Sequence, residues 1–168
     1  MAGKFQRQGI ENMARVVNLF RAPKKRVAME ELREARVLQN VGFAGCAHAR
    51  PNGKRQVLIV DIETLRRMGL APGIIRENIT TEELDVNALR VGQTLLVGET
   101  ELQVSAVCEP CEQMETIRPG LKVELEGRRG MLCRVLRGGL IRPGDAMEVQ
   151  PVEQPYPEHQ EIGVEKRE

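Results

Sequence analysis

The chain has 168 residues, of which 41% are apolar, 29% are charged and only 2% are aromatic. A chain of this length folds as one domain around an aliphatic core without disulfide bonds, and so few aromatic residues argue against a base-stacking platform. The 25 Lys and Arg residues nearly balance the 24 Asp and Glu residues, so no net charge draws the protein to nucleic acid or to a membrane surface.

The same inventory bears on targeting and on the state of the thiols. The N-terminal segment has no apolar core typical of a signal peptide, and no run of 18 apolar residues occurs. We therefore expect a soluble cytoplasmic protein with no nucleic-acid partner and no membrane partner. Thiols stay reduced in the cytoplasm, so the four cysteines are interpreted as ligands, nucleophiles or core residues rather than as disulfides.

The first third of the chain alternates between apolar segments and turns. Residues 1–13 are polar and mixed in charge, which predicts a flexible lead-in. Residues 14–20, ARVVNLF, have the β-branched and apolar content of a strand. Apolar residues spaced three apart predict a short helix over 28–40, and the glycines and proline of 41–55 predict a loop.

The next segment contains a buried strand followed by a capped helix. QVLIV, residues 56–60, contains a continuous apolar run after Gln56 and predicts a buried strand. Asp61 can cap a helix over Ile62–Met68 that ends at Gly69. The Pro-Gly segment 71–83 predicts another loop.

A hairpin and a short helical segment come next. Residues 94–97, TLLV, and 100–107, TELQVSAV, are joined by a Gly-Glu pair, and the second of them alternates apolar and polar residues as a strand does. Residues 112–117 can form one or two helical turns. The segment LKVELEG that follows is ambiguous between helix and strand.

The last third predicts strands and then a tail. Residues 130–136, GMLCRVL, predict a strand, a Gly-Gly turn follows, and 140–149 predict a bent final pair of strands. The tail 151–168 is rich in proline and glutamate and is expected to be mobile. Many short strands with Gly and Pro turns predict a mainly β domain, a barrel or a folded sheet with a few short helices. No dinucleotide-binding or P-loop glycine motif is present.

The segment AVCEPCEQME holds two cysteines three residues apart. Cys108 continues the inward alternation of the preceding strand. Cys111 follows Pro110, which favours the first position of a helix, where free N–H groups stabilise a thiolate. Cys111 is thus the better candidate for a reactive thiolate or a soft metal ligand. The acidic neighbours Glu109 and Glu112 oppose this, so a nearby arginine or a bound cation would have to offset them.

Other interpretations of the same cysteines stay open. The pair can be two small buried thiols at a strand end. A zinc site can be assembled from Cys108, Cys111, Cys46 and His48, although this spacing matches no common zinc module. A redox pair is less well supported, because the flanking residues are acidic.

Cys133 lies in the apolar strand MLCRV and is expected in the core. Arginines are the other residues that could contribute to a binding site. Arg134 in the same strand either faces solvent or holds a phosphate or carboxylate in a pocket with its forked guanidinium. Seven arginines fall at strand starts, turns and strand interiors: Arg55, Arg76, Arg128, Arg129, Arg134, Arg137 and Arg142.

Over residues 14–150 the sequence resembles the MOSC domain, the module named for the C-terminal part of molybdenum cofactor sulfurases. Four blocks in order carry the resemblance: PGIIRENI (Pro72–Ile79), LRVGQTLLVGETELQV (Leu89–Val104), the pair Pro110 and Cys111, and RVLRGGLIRPGD (Arg134–Asp145). The resemblance implies a β-rich, barrel-like fold and one functional cysteine, Cys111.

The resemblance also implies a function. In this family the matching cysteine is thought to carry sulfur or to ligate molybdenum in a molybdopterin cofactor, and some members reduce N-hydroxylated compounds. A thiolate suits such a metal centre. From the matching blocks we expect Arg76, Asn78 and Arg134 to line the pocket of Cys111 and to bind the cofactor. Electrons or sulfur would come from a separate donor protein.

The sequence departs from the family pattern at Cys46, where the family usually has an acidic residue. This departure keeps the alternative of a non-enzymatic module, in which Cys108, Cys111, Cys46 and His48 hold zinc or a transferable sulfur. Cys108 is also additional, since the motif needs only the second cysteine of the pair.

Overall fold

A computed structural model describes residues 13–151. The predicted lead-in, residues 1–13, and the predicted tail, residues 151–168, lie almost entirely outside the described residues. The described part contains eleven short strands: β1 Arg15–Arg21, β2 Glu30–Leu32, β3 Ala35–Leu38, β4 Gly42–Phe43, β5 Val57–Asp61, β6 Ile79–Glu82, β7 Thr94–Val97, β8 Thr100–Val107, β9 Met131–Arg137, β10 Gly139–Ile141 and β11 Met147–Val149.

The helices are few and short. They are α1 (Ile62–Arg67), α2 (Leu121–Glu124) and the 3₁₀ helices Val86–Ala88 and Glu112–Thr116. In the described part of the chain no helix has the length and apolar character needed to cross a membrane.

Eight strands form one sheet in the order β11-β7-β8-β9-β5-β6-β1-β2, and β10, β3 and β4 form a second sheet. The pairing of β5 with β6 is parallel, and the other pairings are antiparallel. The prediction of a mainly β domain with short helices is confirmed. Among the described residues the large sheet is folded and has two edges, β11 and β2, so it is not a closed barrel.

The core lies on both faces of β5. Val57 and Ile59 belong to one apolar cluster, and Leu58 and Val60 belong to a second cluster that includes Met114. Every residue of β5 is buried, because successive side chains of a strand point to opposite faces. The prediction of a buried strand from this apolar run is therefore confirmed.

Two local predictions are confirmed. Asp61 caps α1 through its Oδ2 atom, which accepts from the Thr64 N–H at 2.9 Å, and the helix ends before Gly69 as expected. The hairpin of β7 and β8 has the predicted bounds, with Leu95 opposite Leu102.

The helix predicted over 28–40 is wrong. The segment forms β2 and β3, which pair with β1 and β10. Ala35 and Val37 are buried while their neighbours are exposed. The spacing of three between apolar residues was coincidental, and the period of two decides the structure because each short strand joins a sheet.

Two loop or turn predictions also need correction. Segment 71–83 ends in β6, which lies between β1 and β5 with its threonines buried. The Thr81 hydroxyl donates to the Arg15 carbonyl at 2.8 Å, so this polar strand has hydrogen-bond partners in the interior. The final pair predicted over 140–149 does not form, because β10 joins β3 and β11 joins β7.

Candidate functional site

A buried arginine stands immediately before β9. Arg129 is 8% exposed, and Gly130 separates it from the strand. Gly130 has a φ of 92°, and a Cβ there would lie 2.1 Å from the Ile59 carbonyl oxygen. Only glycine fits this close approach, so the turn directs Arg129 away from the sheet.

Arg129 contacts the sulfur of Cys111. Its Nη1 atom lies 3.7 Å from the Cys111 Sγ and donates to the Glu109 carbonyl at 2.9 Å. Its Nη2 atom donates to the Ile75 carbonyl at 3.5 Å. The guanidinium is thus fixed by backbone oxygens from two distant segments, with a positive charge beside the thiol. Such a charge stabilises the thiolate form of a cysteine.

Cys111 is exposed and immediately precedes the 3₁₀ helix Glu112–Thr116. The predicted helical turn after it is present, and Cys111 is its cap residue rather than its first residue. The acidic neighbour Glu112 forms an ion pair with Lys122. The positive charge of Lys122 therefore offsets part of the negative charge that flanks Cys111.

Cys108 differs from Cys111 in its surroundings. Cys108 is 3% exposed and packs in the second apolar cluster. Burial raises the pKa of the Cys108 thiol, and the positive charges of Arg129 and Arg55 oppose this only in part. A neutral thiol is a poor nucleophile and a poor metal ligand. Of the pair, Cys111 is therefore the one suited to thiolate chemistry.

A cleft of about 350 Å³ lies next to these groups. Its walls carry basic side chains and no carboxylate. The residues that line it are Lys25, Ala47, His48, Arg50, Gly53, Arg55, Gln56, Val57, Leu58, Arg76, Asn78, Cys108, Gln113, Arg129 and Leu132. We call it the basic cleft. Cys111 adjoins it through its contact with Arg129, and such a lining attracts anions.

The loop before β6 carries two of the predicted site residues into the basic cleft. Asn78 is 1% exposed, and its Oδ1 atom accepts from the Leu58 N–H at 3.0 Å. Arg76 has a left-handed backbone with a φ of 71°, and its Nη1 atom donates to the Val27 carbonyl at 2.7 Å. A non-glycine residue in this conformation is uncommon and is typical of functional loops.

Glu77 fixes this loop from inside the protein. Its side chain is fully buried, and its Oε1 atom accepts from the Gly73 N–H and from the Thr80 hydroxyl. Burial raises the pKa of Glu77, and these hydrogen bonds and the charge of Arg129 oppose that rise. The carboxyl group therefore holds the loop in the shape that presents Arg76 to the cleft.

Two guanidinium atoms in the basic cleft lack partners. The Arg76 Nη2 and Arg129 Nε atoms are buried and have no hydrogen-bond acceptor among the described residues. Unpaired buried donors are costly unless a ligand supplies the acceptor. Both atoms therefore favour an anionic ligand in the cleft.

Cys46 lies close behind the cleft wall. Its Sγ atom accepts from the Ala22 N–H at 3.4 Å and from the Asn78 Nδ2 atom at 3.5 Å. Burial raises the pKa of Cys46, but hydrogen bonds from His48, Ala22 and Asn78 outweigh it and lower the pKa to about 7. Cys46 is thus a buried cysteine whose hydrogen bonds favour the thiolate form.

The alternative zinc site is not formed. Within residues 13–151 no group of three or more His, Cys, Asp and Glu side chains is placed to hold a metal ion. Cys46 packs in the first apolar cluster, and Cys108 packs in the second. His48 and Cys111 therefore cannot join both of them around one zinc ion, which requires four close ligands.

Arg134 is not brought into the basic cleft. Its side chain is exposed, and its Nε atom donates to the Gln103 Oε1 atom of the neighbouring strand at 2.9 Å. Of the two interpretations of Arg134, the structure supports a solvated outer position on the sheet. Cys133 is fully buried, as expected, and burial raises its pKa to about 12.

The arginines that line the basic cleft are not the one that stood out in the sequence. Arg129 and Arg55 line the cleft, whereas Arg134 received the attention because it interrupts an apolar strand. Each of the two precedes a buried strand, but β5 and β9 are antiparallel, so position in the sequence alone did not indicate that both arginines reach one cleft. Lys25, Arg50 and Gln113 carried no comparable signal.

The comparison with protein families decides the relationship. The model of the MOSC domain matches residues 53–148, more than half of the chain. The chain belongs to the MOSC domain family. The matched region includes Cys111, Arg76 and Arg129, whereas Cys46 and His48 precede it. The family is associated with binding of the molybdenum cofactor.

Solved structures share the fold of this MOSC domain. The YuaD protein from Bacillus subtilis is 21% identical with a TM-score of 0.68, covering 82% of this chain and 96% of that chain. YiiM from Geobacillus stearothermophilus is 19% identical with a TM-score of 0.66, covering 82% and 75%. YiiM from Escherichia coli is 17% identical with a TM-score of 0.61, covering 82% and 70%. At these identities the likeness shows the fold alone. A search of curated proteins found no match.

Proposed function

We propose that this MOSC domain binds a molybdenum–pterin cofactor, with its phosphate in the basic cleft and its metal at Cys111. The observation that carries the proposal is the position of Arg129. This residue contacts the Cys111 sulfur with one nitrogen and lines the cleft, and its buried Nε atom has no partner among the described residues. One guanidinium thus links a thiolate to an anion site.

The phosphate end of the proposed site is supported by charge and by missing partners. Five basic side chains line the cleft without a carboxylate to pair them: Lys25, Arg50, Arg55, Arg76 and Arg129. The free Nη2 of Arg76 and Nε of Arg129 supply directed donors for phosphate oxygens. The left-handed backbone of Arg76 is the kind of strain found at ligand clamps.

The sulfur end is supported by exposure. Cys111 is the one exposed cysteine among the four, so a metal centre or a donor protein can reach it. A thiolate is a soft ligand suited to a thiol-rich molybdenum centre. When bound, the cofactor supplies two-electron redox chemistry at the metal. Arg129 places a positive charge 3.7 Å from the Cys111 sulfur. Burial raises the pKa of Cys108, so that second thiol stays neutral.

The reaction that fits this arrangement is reduction of N-hydroxylated small molecules, with electrons from a separate donor protein. This part of the proposal rests on the resemblance to the family. The exposure of Cys111 also fits a second function, in which its sulfur attacks the outer sulfur of a persulfide on a donor protein and the donor's thiolate leaves. The transferred sulfur would then be carried to the cofactor as a persulfide on Cys111.

The test is elemental analysis of protein purified from cells that make molybdenum cofactor, together with an assay for fluorescent oxidised pterin. We expect molybdenum and pterin in the wild type, loss of both in Cys111→Ser and retention of most of both in Cys108→Ser. Sulfur carriage without stable cofactor binding would instead give a persulfide on Cys111 by mass spectrometry. Equal metal and sulfur content in the wild type and in Cys111→Ser would refute the assignment of this residue.

A further inference from the structure

We infer that a second cleft, beside Asp61, is a separate binding site that takes a small molecule through a primary ammonium group. This cleft has a volume of about 640 Å³ and shares no lining residue with the basic cleft. It is lined by Asp61, Glu63, Thr64, Arg67, Met68, Glu83, Leu84, Asp85, Asn87, Gly127 and Arg128. We call it the acidic cleft, and it holds no cysteine.

Asp61 provides the first observation that points to a ligand. The residue is only 4% exposed and lines the acidic cleft. Its Oδ2 atom accepts from the Thr64 N–H at 2.9 Å and from the Thr64 hydroxyl at 2.6 Å. Its Oδ1 atom is buried and has no partner among the described residues. An ionised carboxylate only accepts hydrogen bonds, so this oxygen lacks a donor.

Glu63, two residues further along the chain, provides the second observation. Its Oε1 atom accepts from the Glu83 N–H at 2.9 Å, which fixes the side chain. Its Oε2 atom is buried and, within residues 13–151, has no hydrogen-bond partner. Two carboxylates thus each use one oxygen to organise the protein and leave the other without a donor. Leaving such an atom unpaired is costly.

The charge and the ligand set select the kind of ligand. Four carboxylates line the cleft against two arginines, Arg67 and Arg128, and neither arginine forms an ion pair with a described residue. A divalent metal ion would need several oxygen ligands together, and no group of three or more suitable side chains occurs in the described part of the chain. An ammonium group needs fewer acceptors and carries three donors.

The test uses n-butylammonium chloride as the probe, with 1-butanol and sodium chloride as matched controls. Binding is followed by the backbone amide resonances of Thr64 and Glu83, whose N–H groups donate to the two carboxylates. We expect saturable shifts with the ammonium probe only. Asp61→Asn keeps an acceptor for Thr64 and should bind about tenfold more weakly, and so should Glu63→Gln.

Two further variants separate this site from the rest of the protein. Glu148→Gln removes an exposed carboxylate of β11, and Cys111→Ser removes the thiolate of the basic cleft; both should bind the probe like the wild type. The inference is overturned if Thr64 and Glu83 show no saturable shift, if 1-butanol gives the same shifts, or if Glu63→Gln binds unchanged. Glu63→Gln decides the matter should Asp61→Asn fail to fold, and loss of cofactor binding in Cys111→Ser leaves this test unaffected.

Discussion

The basic cleft and the acidic cleft are both lined from β5, but they carry opposite charge. Val57 and Leu58 at the start of the strand line the basic cleft, and Asp61 at its end lines the acidic cleft. The consecutive arginines Arg128 and Arg129 are divided between them. In the basic cleft unpartnered atoms are guanidinium donors, and in the acidic cleft they are carboxylate acceptors.

The difference teaches that volume alone does not locate the chemistry. The acidic cleft is the larger, yet it is the basic cleft that Arg129 lines and that the exposed sulfur of Cys111 adjoins. Unsatisfied hydrogen-bonding atoms identify what each cleft lacks and therefore the charge of its ligand.

The largest effect is expected from Gly130→Ala, which strains the turn between Arg129 and β9. A Cβ at this position would meet the Ile59 carbonyl at 2.1 Å with a positive φ. We expect a loss of about 3 kcal/mol or more in the free energy of unfolding, measured by urea denaturation. Gly120→Ala is the matched control, because φ is also positive but no atom lies within 4 Å. A loss of about 1 kcal/mol is expected there, and equal losses in both variants would contradict the account.

The second prediction sharpens the claim that the basic cleft favours anions. Hydrogen bonds lower the pKa of Cys46 from 9.0 to about 7, although burial opposes them. The thiolate should therefore stabilise the fold fully above the unfolded pKa and lose this contribution as pH falls through the folded pKa. The free energy of unfolding of the wild type relative to Cys46→Ser should grow by about 2 kcal/mol from about pH 6 to about pH 9.

Cys133→Ala is the control for this pH dependence. Burial raises the pKa of Cys133 to about 12, so this thiol stays neutral in the folded protein. Its difference from the wild type should be constant from about pH 6 to about pH 8. A flat profile for Cys46→Ser over the whole range would show that the sulfur is not held as a thiolate.

The third prediction compares the two neighbouring arginines directly. Arg129→Gln removes the positive charge beside Cys111 and should slow its alkylation by iodoacetamide about tenfold near neutral pH. Arg128→Gln removes a charge from the acidic cleft and should leave the rate unchanged. Peptide mapping by mass spectrometry measures the rate at Cys111 alone. Equal rates in both variants would contradict the claim that Arg129, and not Arg128, acts on the Cys111 sulfur.

The smallest effect is expected from Arg134→Gln. This side chain is exposed and contacts Gln103, outside both clefts. Molybdenum and pterin content should equal those of the wild type, and the free energy of unfolding should change by less than about 0.5 kcal/mol. Arg76→Gln, measured in parallel, should lower the cofactor content, because Arg76 lines the basic cleft and its Nη2 atom has no partner among the described residues. Loss of cofactor in Arg134→Gln but not in Arg76→Gln would reverse this ranking.

Local patterns predicted the local features well. The cap at Asp61, the hairpin of β7 and β8 and the helical turn after Cys111 depend on residues close together in the chain. The buried strand β5 also follows from its own sequence, since a continuous apolar run satisfies two covered faces.

Features that depend on contacts between segments far apart in the sequence could not be predicted from local patterns. The threonines of β6 are buried because β1 and β5 flank the strand and accept its hydrogen bonds. Arg129 is buried because carbonyls of Glu109 and Ile75, far from it in sequence, accept from its guanidinium. Arg134 sits in an apolar strand, but its partner Gln103 lies on a solvated part of the neighbouring strand. Which arginine enters the site is therefore decided by tertiary contacts and not by strand composition.

The central claim is that the basic cleft and Cys111 hold one anionic molybdenum cofactor. Native mass spectrometry of the full chain, purified from cells that make this cofactor, tests it most directly. The account predicts a species heavier than the bare chain by the mass of one molybdenum–pterin cofactor, and this species should be absent in Cys111→Ser. Only the mass of the bare chain in the wild type, or a mass increase of one zinc ion that survives Cys111→Ser, would contradict it.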